Sequence, residues 1–410
     1  MKVLVAHDRE SSRSSIVEVL KANGINVAGV DLAEDYVSAK ESLSQGLYDL
    51  FIVDLTLPHI KNTSVGSYVT TQNLLMELFA LENLHTPGDI IGITREAHAF
   101  SSIETDIGQH LMTVLEESDS SNWRTLLGDK INYVRKSGFS RQRSFAQHYD
   151  YDVLILTALD KEMLPYESLL ELRKLDYMLG CKEFFFSDKS HKIRKGITFS
   201  IDRAGVVSAA SLTQALLSRF RPKLVLMSGF CGGFKDKGVT EGDLIFFKSI
   251  IDWDSGRWGD GTDAKWLPRP SPISIENLPI NYVVRELVKK GLNSHIQLVS
   301  DVKGIAKGRI QDFSYKASPM ASGSSLVAHK DIISRIVDVN DKAVGVDMEA
   351  YGVAYACTTT MMKTPDFLVL KSVSDFADVT KDKLVQTACS LISATAVVEI
   401  LSSHYEFESD

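Results

Sequence analysis

The chain has 410 residues, 44% hydrophobic and 24% charged, with 26 Gly and 10 Pro. These proportions exclude a fibrous, low-complexity or wholly disordered chain, and the length exceeds one ordinary core, so two or three domains are expected. With 45 Lys and Arg against 53 Asp and Glu, a formal charge of −8 disfavours a general nucleic-acid or anionic-membrane binder while leaving room for a local basic pocket.

The N-terminal third alternates short β-branched runs with amphipathic stretches. Strands are predicted at Val3–Ala6, Asn26–Val30 and Asp49–Val53, with helices over Ser12–Asn23 and Asp35–Gln45 between them. That βαβαβ rhythm calls for a parallel sheet covered by helices on both faces. Further strands are predicted at Asp89–Ile93 and Ile131–Val134. The polar, basic run from Ser137 to His148 reads as a linker, so a first domain over 1–140 and a linker over 141–150 are expected. Residues 151–410 form a second α/β domain, with strands at Tyr151–Leu156, Ile197–Ile201, Leu224–Met227, Leu244–Phe247 and Phe367–Leu370. Ala209, Leu212, Leu216 and Leu217 keep helical spacing within Ser208–Phe220. The four cysteines, Cys181, Cys231, Cys357 and Cys389, form no CxxC pair and read as free thiols. No stretch reaches the roughly 18 uninterrupted apolar residues of a membrane span, and Met1–Asp8 reads as a strand followed by charges, so a cytoplasmic protein is expected.

In parallel α/β sheets functional groups gather at the carboxyl ends of strands. His7 and Asp8 follow the first strand, Asp54 ends the third, Thr94 the fourth, and Lys136 follows the stretch taken as the fifth. The set, with Asp54-Leu-Thr-Leu-Pro58, resembles the receiver domain of two-component response regulators, a flavodoxin-like fold. The resemblance implies Asp54 as phosphoacceptor, Asp8, Asp54 and Thr56 as ligands of Mg²⁺, and Thr94 and Lys136 as switch hydroxyl and phosphoryl-binding ammonium. It also implies a sensor histidine kinase as phosphodonor. His7 stands where the family carries its first acid, and a degenerate receiver that docks a partner without taking phosphate is the alternative.

Four blocks follow in order: Leu156-Thr-Ala-Leu-Asp-Lys-Glu162, Ser228-Gly-Phe-Cys-Gly-Gly233, Gly345-Val-Asp-Met-Glu-Ala350 and Ser372-Val-Ser-Asp-Phe-Ala-Asp378. Together they make residues 151–402 resemble the purine nucleoside phosphorylase and methylthioadenosine nucleosidase superfamily, an α/β fold with a mixed central sheet. Cleaving a purine from ribose leaves positive charge on the sugar and negative charge on the base, so an acid beside the base and carboxylates beside the sugar are needed. The resemblance implies Asp375 as the acid that protonates the purine, Glu349 as the holder of the ribose hydroxyls, and Glu162 as the group that positions water. No cofactor is implied for this step. Met348, Phe230, Cys231, Gly232 and Ser374 are expected to line the substrate pocket, with Leu326 and Val327 near the base. Phe230, bulky and without a donor, favours water over phosphate as nucleophile.

A nucleotide needs cations around its phosphates. Arg203, Lys235, Lys237 and the insert from Asp252 to Arg269, with Arg257, Lys265 and Arg269, are the candidates; the same insert carries Asp252, Asp254, Asp260 and Asp263, which can cancel its bases. A receiver joined to a nucleosidase resembles effectors of bacterial anti-phage systems of two-component type, which implies a gated enzyme that cuts adenine from ATP, leaving ribose 5-triphosphate. A methylthioadenosine nucleosidase, a phosphate-dependent phosphorylase and a non-catalytic nucleotide sensor are the alternatives. Relatives of the second domain complete their pockets across subunits, so a homo-oligomer is expected, with no nucleic-acid or membrane partner.

Overall fold

The computed structural model describes residues 1–62, 64–80, 84–95, 113–118, 122–176, 178, 180–259, 266–378 and 381–407, with backbone alone for 141–147 and 258. The chain divides into two compact units, Met1–Arg143 and Ser144–Asp410.

The N-terminal unit runs β1 (Val3–Ala6), α1 (Glu10–Ala22), β2 (Val30–Ala33), α2 (Tyr36–Gln45), β3 (Leu50–Asp54), α3 (Tyr68–Ala80), β4 (Ile90–Thr94), β5 (Thr113–Glu116) and α4 (Trp123–Gln147). Its described strands form one parallel sheet in the order β2-β1-β3-β4-β5. Alternation along the strands sends Leu4, Ala6, Phe51 and Val53 to one face, and Val3, Val5, Leu50 and Ile52 to the other. Helices α2 and α3 cover the first face through Ala39, Leu43, Leu74 and Leu78; α1 and α4 cover the second through Ile16, Leu20, Trp123, Leu127 and Ile131.

Three expectations are corrected here. Val27–Gly29 is a 3₁₀ turn capped by the Asn26 side chain, and the strand begins only at Val30. Ile131–Val134 is helical: Trp123, Leu127 and Ile131 recur every fourth residue and face the core, a helical period that the local run of apolar residues concealed. The fifth strand lies instead at Thr113–Glu116, paired to β4. Helix α4 also runs through most of the expected linker 141–150.

The C-terminal unit contains β6 (Tyr151–Thr157), α5 (Asp160–Leu169), β7 (Arg173–Lys174), β8 (Lys182–Ser187), β9 (Ile193–Ser200), α6 (Val206–Phe220), β10 (Pro222–Gly233), β11 (Leu244–Asp252), β12 (Gly256–Trp258), β13 (Trp266–Pro268) and β14 (Ile273–Ser274). It continues with α7 (Ile280–Lys290), α8 (His295–Ile305), β15 (Tyr315–Ser322), α9 (Lys330–Val339), β16 (Gly345–Asp347), α10 (Ala350–Thr359), β17 (Asp366–Asp375) and α11 (Lys383–Glu399). Its sheet is mixed. Strand β10 lies between β6 and β17, parallel to both, whereas β11 runs antiparallel to β17. The central strands are buried on both sides, hence their continuous runs such as Val153–Leu156 and Phe367–Leu370. The stretch Lys383–His404 is long and apolar enough to cross a membrane, but 72% of its apolar window is buried within the fold, as a core helix is.

Helices α6 and α10 pack closely at Gly352, where a Cβ would collide with the Val206 carbonyl oxygen and come within 2.8 Å of Ala210 N. Since both obstacles are backbone, Gly352→Ala must part the helices. The expected loss is about 1–3 kcal/mol of stability, read from the denaturant midpoint.

Candidate active site

Strands β6, β10, β16 and β17 bring their polar ends to one cavity of about 570 Å³, whose wall includes Glu162, Asp347, Glu349 and Asp375. The four expected blocks therefore meet in space. Glu162, in the first turn of α5, is 2% exposed. Its Oε2 accepts hydrogen bonds from Ala158 N at 2.8 Å and Leu159 N at 3.0 Å, and its Oε1 accepts one from Phe230 N at 3.0 Å. This carboxyl presses against β10 at Gly229, whose φ is +146°; a Cβ there would fall on the Glu162 carboxylate. Burial raises the Glu162 pKa to about 7, although Lys371 and the Phe230 N–H pull the other way.

Lys371 is 1% exposed, in the middle of β17. Its Nζ lies 2.7 Å from Asp347 Oδ2 and 3.0 Å from Glu349 Oε2. Burial works against the ammonium, but Asp347, Glu349 and Glu162 outweigh it and raise its pKa. The Asp347 Oδ2 atom also receives Ala350 N at 3.0 Å, while its Oδ1 is buried with no hydrogen-bond partner. Asp375, at the end of β17, accepts Ser374 Oγ at 2.8 Å on Oδ2 and Ala377 N at 3.0 Å on Oδ1.

Met348, Phe230, Cys231, Gly232, Leu326 and Val327 all line the cavity, as expected from the sequence, with Leu326 64% exposed at the rim. Ser374 does not; it is buried behind Asp375 and orients that carboxylate. Arg203 lines a separate cavity with Ser208, Ser211 and Ser324, which adjoins the main one at Ala204. The expected phosphate cations are also corrected. Arg257 sits in the β12–β13 ribbon opposite Leu267, Lys237 bonds the Asp341 carbonyl, and Lys235 lies over the Phe376 ring. Arg269, whose backbone N–H bonds the Ser255 carbonyl, is likewise absent from the wall, and Asp260, Asp263 and Lys265 lie outside the described residues. The cations on the wall are Lys161, Lys381 and Lys383. Lys161 reaches Gln386 Oε1 at 2.9 Å and stands over the Phe230 ring.

The family described as the phosphorylase superfamily matches residues 191–402, more than half of the chain. The chain belongs to the phosphorylase superfamily. Among curated relatives, uncharacterized protein y4jS of Sinorhizobium fredii is 28% identical over 97% of this chain and 98% of its own length. ATP nucleosidase Cap17 of Escherichia coli is 30% identical over 50% of this chain, and the match spans only 41% of Cap17. A 5'-methylthioadenosine/S-adenosylhomocysteine nucleosidase of a Marinomonas species is 26% identical over 54% of this chain and 85% of its own.

The superfamily match lies wholly within the C-terminal unit. In the N-terminal unit, His7, Asp8 and Asp54 gather at the carboxyl edge of the sheet, with Thr94 ending β4. Lys136 does not join them. It is an exposed residue of α4, whose neighbours Tyr133, Val134 and Arg135 line a cavity with Met1 and Asp49, at the opposite edge. Beside Thr94, at the end of β5, stands Glu117. Thr56 hydrogen-bonds Asp54 Oδ1 through N and Oγ1, and its carbonyl oxygen packs against Gly66. An imidazole and an extra carboxylate thus stand where the resemblance implied an acid and an ammonium, so this donor set does not fit phosphoryl acceptance with Mg²⁺.

Sequence reasoning missed Lys371, Asp347 and the three wall lysines. The first had a signal: a single cation that follows the apolar run Phe367-Leu-Val-Leu370 inside a buried strand needs buried anions. Replacing it by Met strands Asp347 and Glu349. The expected destabilisation of Lys371→Met is about 3–5 kcal/mol, measured by chemical denaturation.

Proposed function

We propose that the C-terminal unit hydrolyses the N-glycosidic bond of an adenine nucleotide, ATP above all, releasing adenine and ribose 5-triphosphate. The chain is an enzyme of the nucleosidase kind. The observation that carries the reading is the convergence of Glu162, Glu349 and Asp375 on one cavity, with Glu162 held by three backbone N–H groups. Glu162 takes a proton from the attacking water, Glu349 holds the sugar hydroxyls, and Asp375 delivers a proton to the departing purine. Water adds to C1′ as the bond to the base breaks, so atoms and charge balance without a cofactor. A buried carboxylate at the nucleophile's place repels inorganic phosphate, which supports hydrolysis over phosphorolysis.

The choice of a nucleotide over a thioether nucleoside rests on Lys161, Lys381 and Lys383 in the wall, together with the likeness to Cap17. Exhaustion of ATP in an infected bacterium, by a homo-oligomer, is the biological end we propose for this activity. Phosphoryl gating by a sensor kinase forms no part of the proposal, because the surroundings of Asp54 do not fit it.

The test is mass spectrometry of ATP and of methylthioadenosine incubated with the full chain. Adenine with ribose triphosphate is expected from ATP, without any need for phosphate; adenine from methylthioadenosine alone contradicts the nucleotide reading, and no adenine from either contradicts the enzyme. Asp375→Asn is expected to lower adenine release by about 10²-fold or more with folding unchanged. Lys381→Met with Lys383→Met should raise KM for ATP by about tenfold or more and leave methylthioadenosine kinetics unaltered.

The pH profile follows from Glu162. Its carboxyl is protonated below and ionised above a pKa of about 7, and only the ionised form takes a proton from water, so kcat should climb with pH through a midpoint near 7. Glu162→Gln removes that limb; a limb that survives the substitution belongs to another group.

A further inference from the structure

The wall of the active cavity carries a polar side chain that the chemistry proposed above leaves idle. Gln386 lies on the buried face of α11 and is 8% exposed, yet it lines the cavity together with Lys161 and Lys383. Its backbone is fixed within the helix. The N–H donates to the Asp382 carbonyl oxygen at 3.0 Å, and the carbonyl oxygen accepts from Ser390 Oγ at 2.9 Å. The freedom that remains belongs to the carboxamide.

One contact removes that freedom. Lys161 Nζ donates to Gln386 Oε1 at 2.9 Å. An ammonium has donors and no acceptor, so the amide oxygen must face it; the reverse orientation would set N–H against N–H. The amide nitrogen is thereby turned away from Lys161, and among the described residues Nε2 has no hydrogen-bond partner. A buried carboxamide left half unpaired is costly until a group that enters the cavity accepts from it.

The neighbours decide what that acceptor is. Lys383 precedes Gln386 by three residues, so the two share a face of α11, while Lys161 arrives from the first turn of α5. Both side chains carry donors alone. The carboxylate between Lys381 and Lys383, that of Asp382, is spent on Leu384 N at 2.8 Å and on Arg309 Nη1 at 3.0 Å. A thioether accepts weakly and a sugar hydroxyl brings a donor of its own, whereas phosphate oxygens only accept and carry the charge that the two ammonium groups attract. We infer that Gln386 is a specificity-determining residue whose Nε2 donates to an oxygen of the substrate's phosphate chain, alongside Lys161 and Lys383. The inference rests on the nucleotide reading above and adds direction to it: lysines draw in any anion, whereas an amide held by Lys161 selects where one oxygen sits.

The experiment titrates the full chain calorimetrically with inorganic tripolyphosphate and, separately, with adenine, and follows adenine release from ATP. Gln386→Leu is expected to weaken tripolyphosphate by about tenfold or more relative to adenine, and to raise KM for ATP by a similar factor. Gln386→Glu keeps the shape and an oxygen for Lys161 but has no N–H, and is expected to weaken tripolyphosphate at least as much. A direct contact is separated from the tethering of Lys161 by repeating the measurement in Lys161→Met, where Gln386→Leu should cost about fivefold or more beyond the single substitution. No further loss there, no tripolyphosphate bound by the unaltered chain, or an equal loss for adenine overturns the assignment. If circular dichroism shows that Gln386→Leu does not fold, Gln386→Glu decides, and retained tripolyphosphate affinity overturns it. The two readings fail separately. Tripolyphosphate binding that depends on Gln386 without adenine release from ATP upholds the contact and removes the reaction; ATP turnover with KM unmoved by Gln386→Leu removes the contact and upholds the reaction.

Discussion

The active cavity depends on one buried ammonium. Glu162 comes from one stretch of chain and Asp347 and Glu349 from another, and their mutual repulsion in a dry interior would open the cavity floor or force protons onto the carboxyls. Lys371 resolves that conflict by bonding Asp347 and Glu349 directly and favouring the ionised form of Glu162. It touches no substrate position; its work is to let acidic side chains share a cavity in usable states. Charge alone would not suffice, because the three N–H groups on Glu162 and the Ala350 N–H on Asp347 fix where each oxygen points.

Sheet order makes the ammonium's position possible. Strand β10 lies between β6 and β17, so the turns after β6 and β10 and the end of β17 are neighbours in space though hundreds of residues apart in places. Between β10 and β17 the register shifts at Cys231 and Gly232, which sets Gly232 opposite Asp375. Such a bulge re-aims a strand end, and here it accompanies the turn of the Asp375 carboxyl into the cavity. The absence of a side chain at Gly229 completes the assembly, since any other residue would displace Glu162.

Much of this was legible in the sequence. Glu162, Glu349 and Asp375 sit in local patterns whose turns and glycines are fixed by backbone geometry, and the doubly wound N-terminal unit announced itself in alternating β-branched runs and amphipathic helices. Legibility failed where the long-range fold decides. Lys161 lies inside the first recognised block and Lys381 and Lys383 just beyond the last, but only the docking of α11 against α5 brings them to one cavity. The N-terminal error has a single origin: a four-residue strand, Thr113–Glu116, carries little pattern, whereas the apolar residues of a long helix between 123 and 134 mimic one. Taking that helix for a strand carried Lys136 to the wrong edge and hid Glu117, which the true strand delivers beside His7.

The unpartnered Oδ1 of Asp347 has an energetic meaning of its own. A buried acceptor left without a donor costs on the order of 1–3 kcal/mol, so a hydroxyl that enters the cavity and reaches this oxygen gains a hydrogen bond that no protein group among the described residues supplies. In the proposed reaction that hydroxyl belongs to the sugar. On that reading a deoxy sugar, which lacks the hydroxyl, forfeits the bond to Asp347, and discrimination between sugars lies in one acceptor that the fold leaves for the ligand.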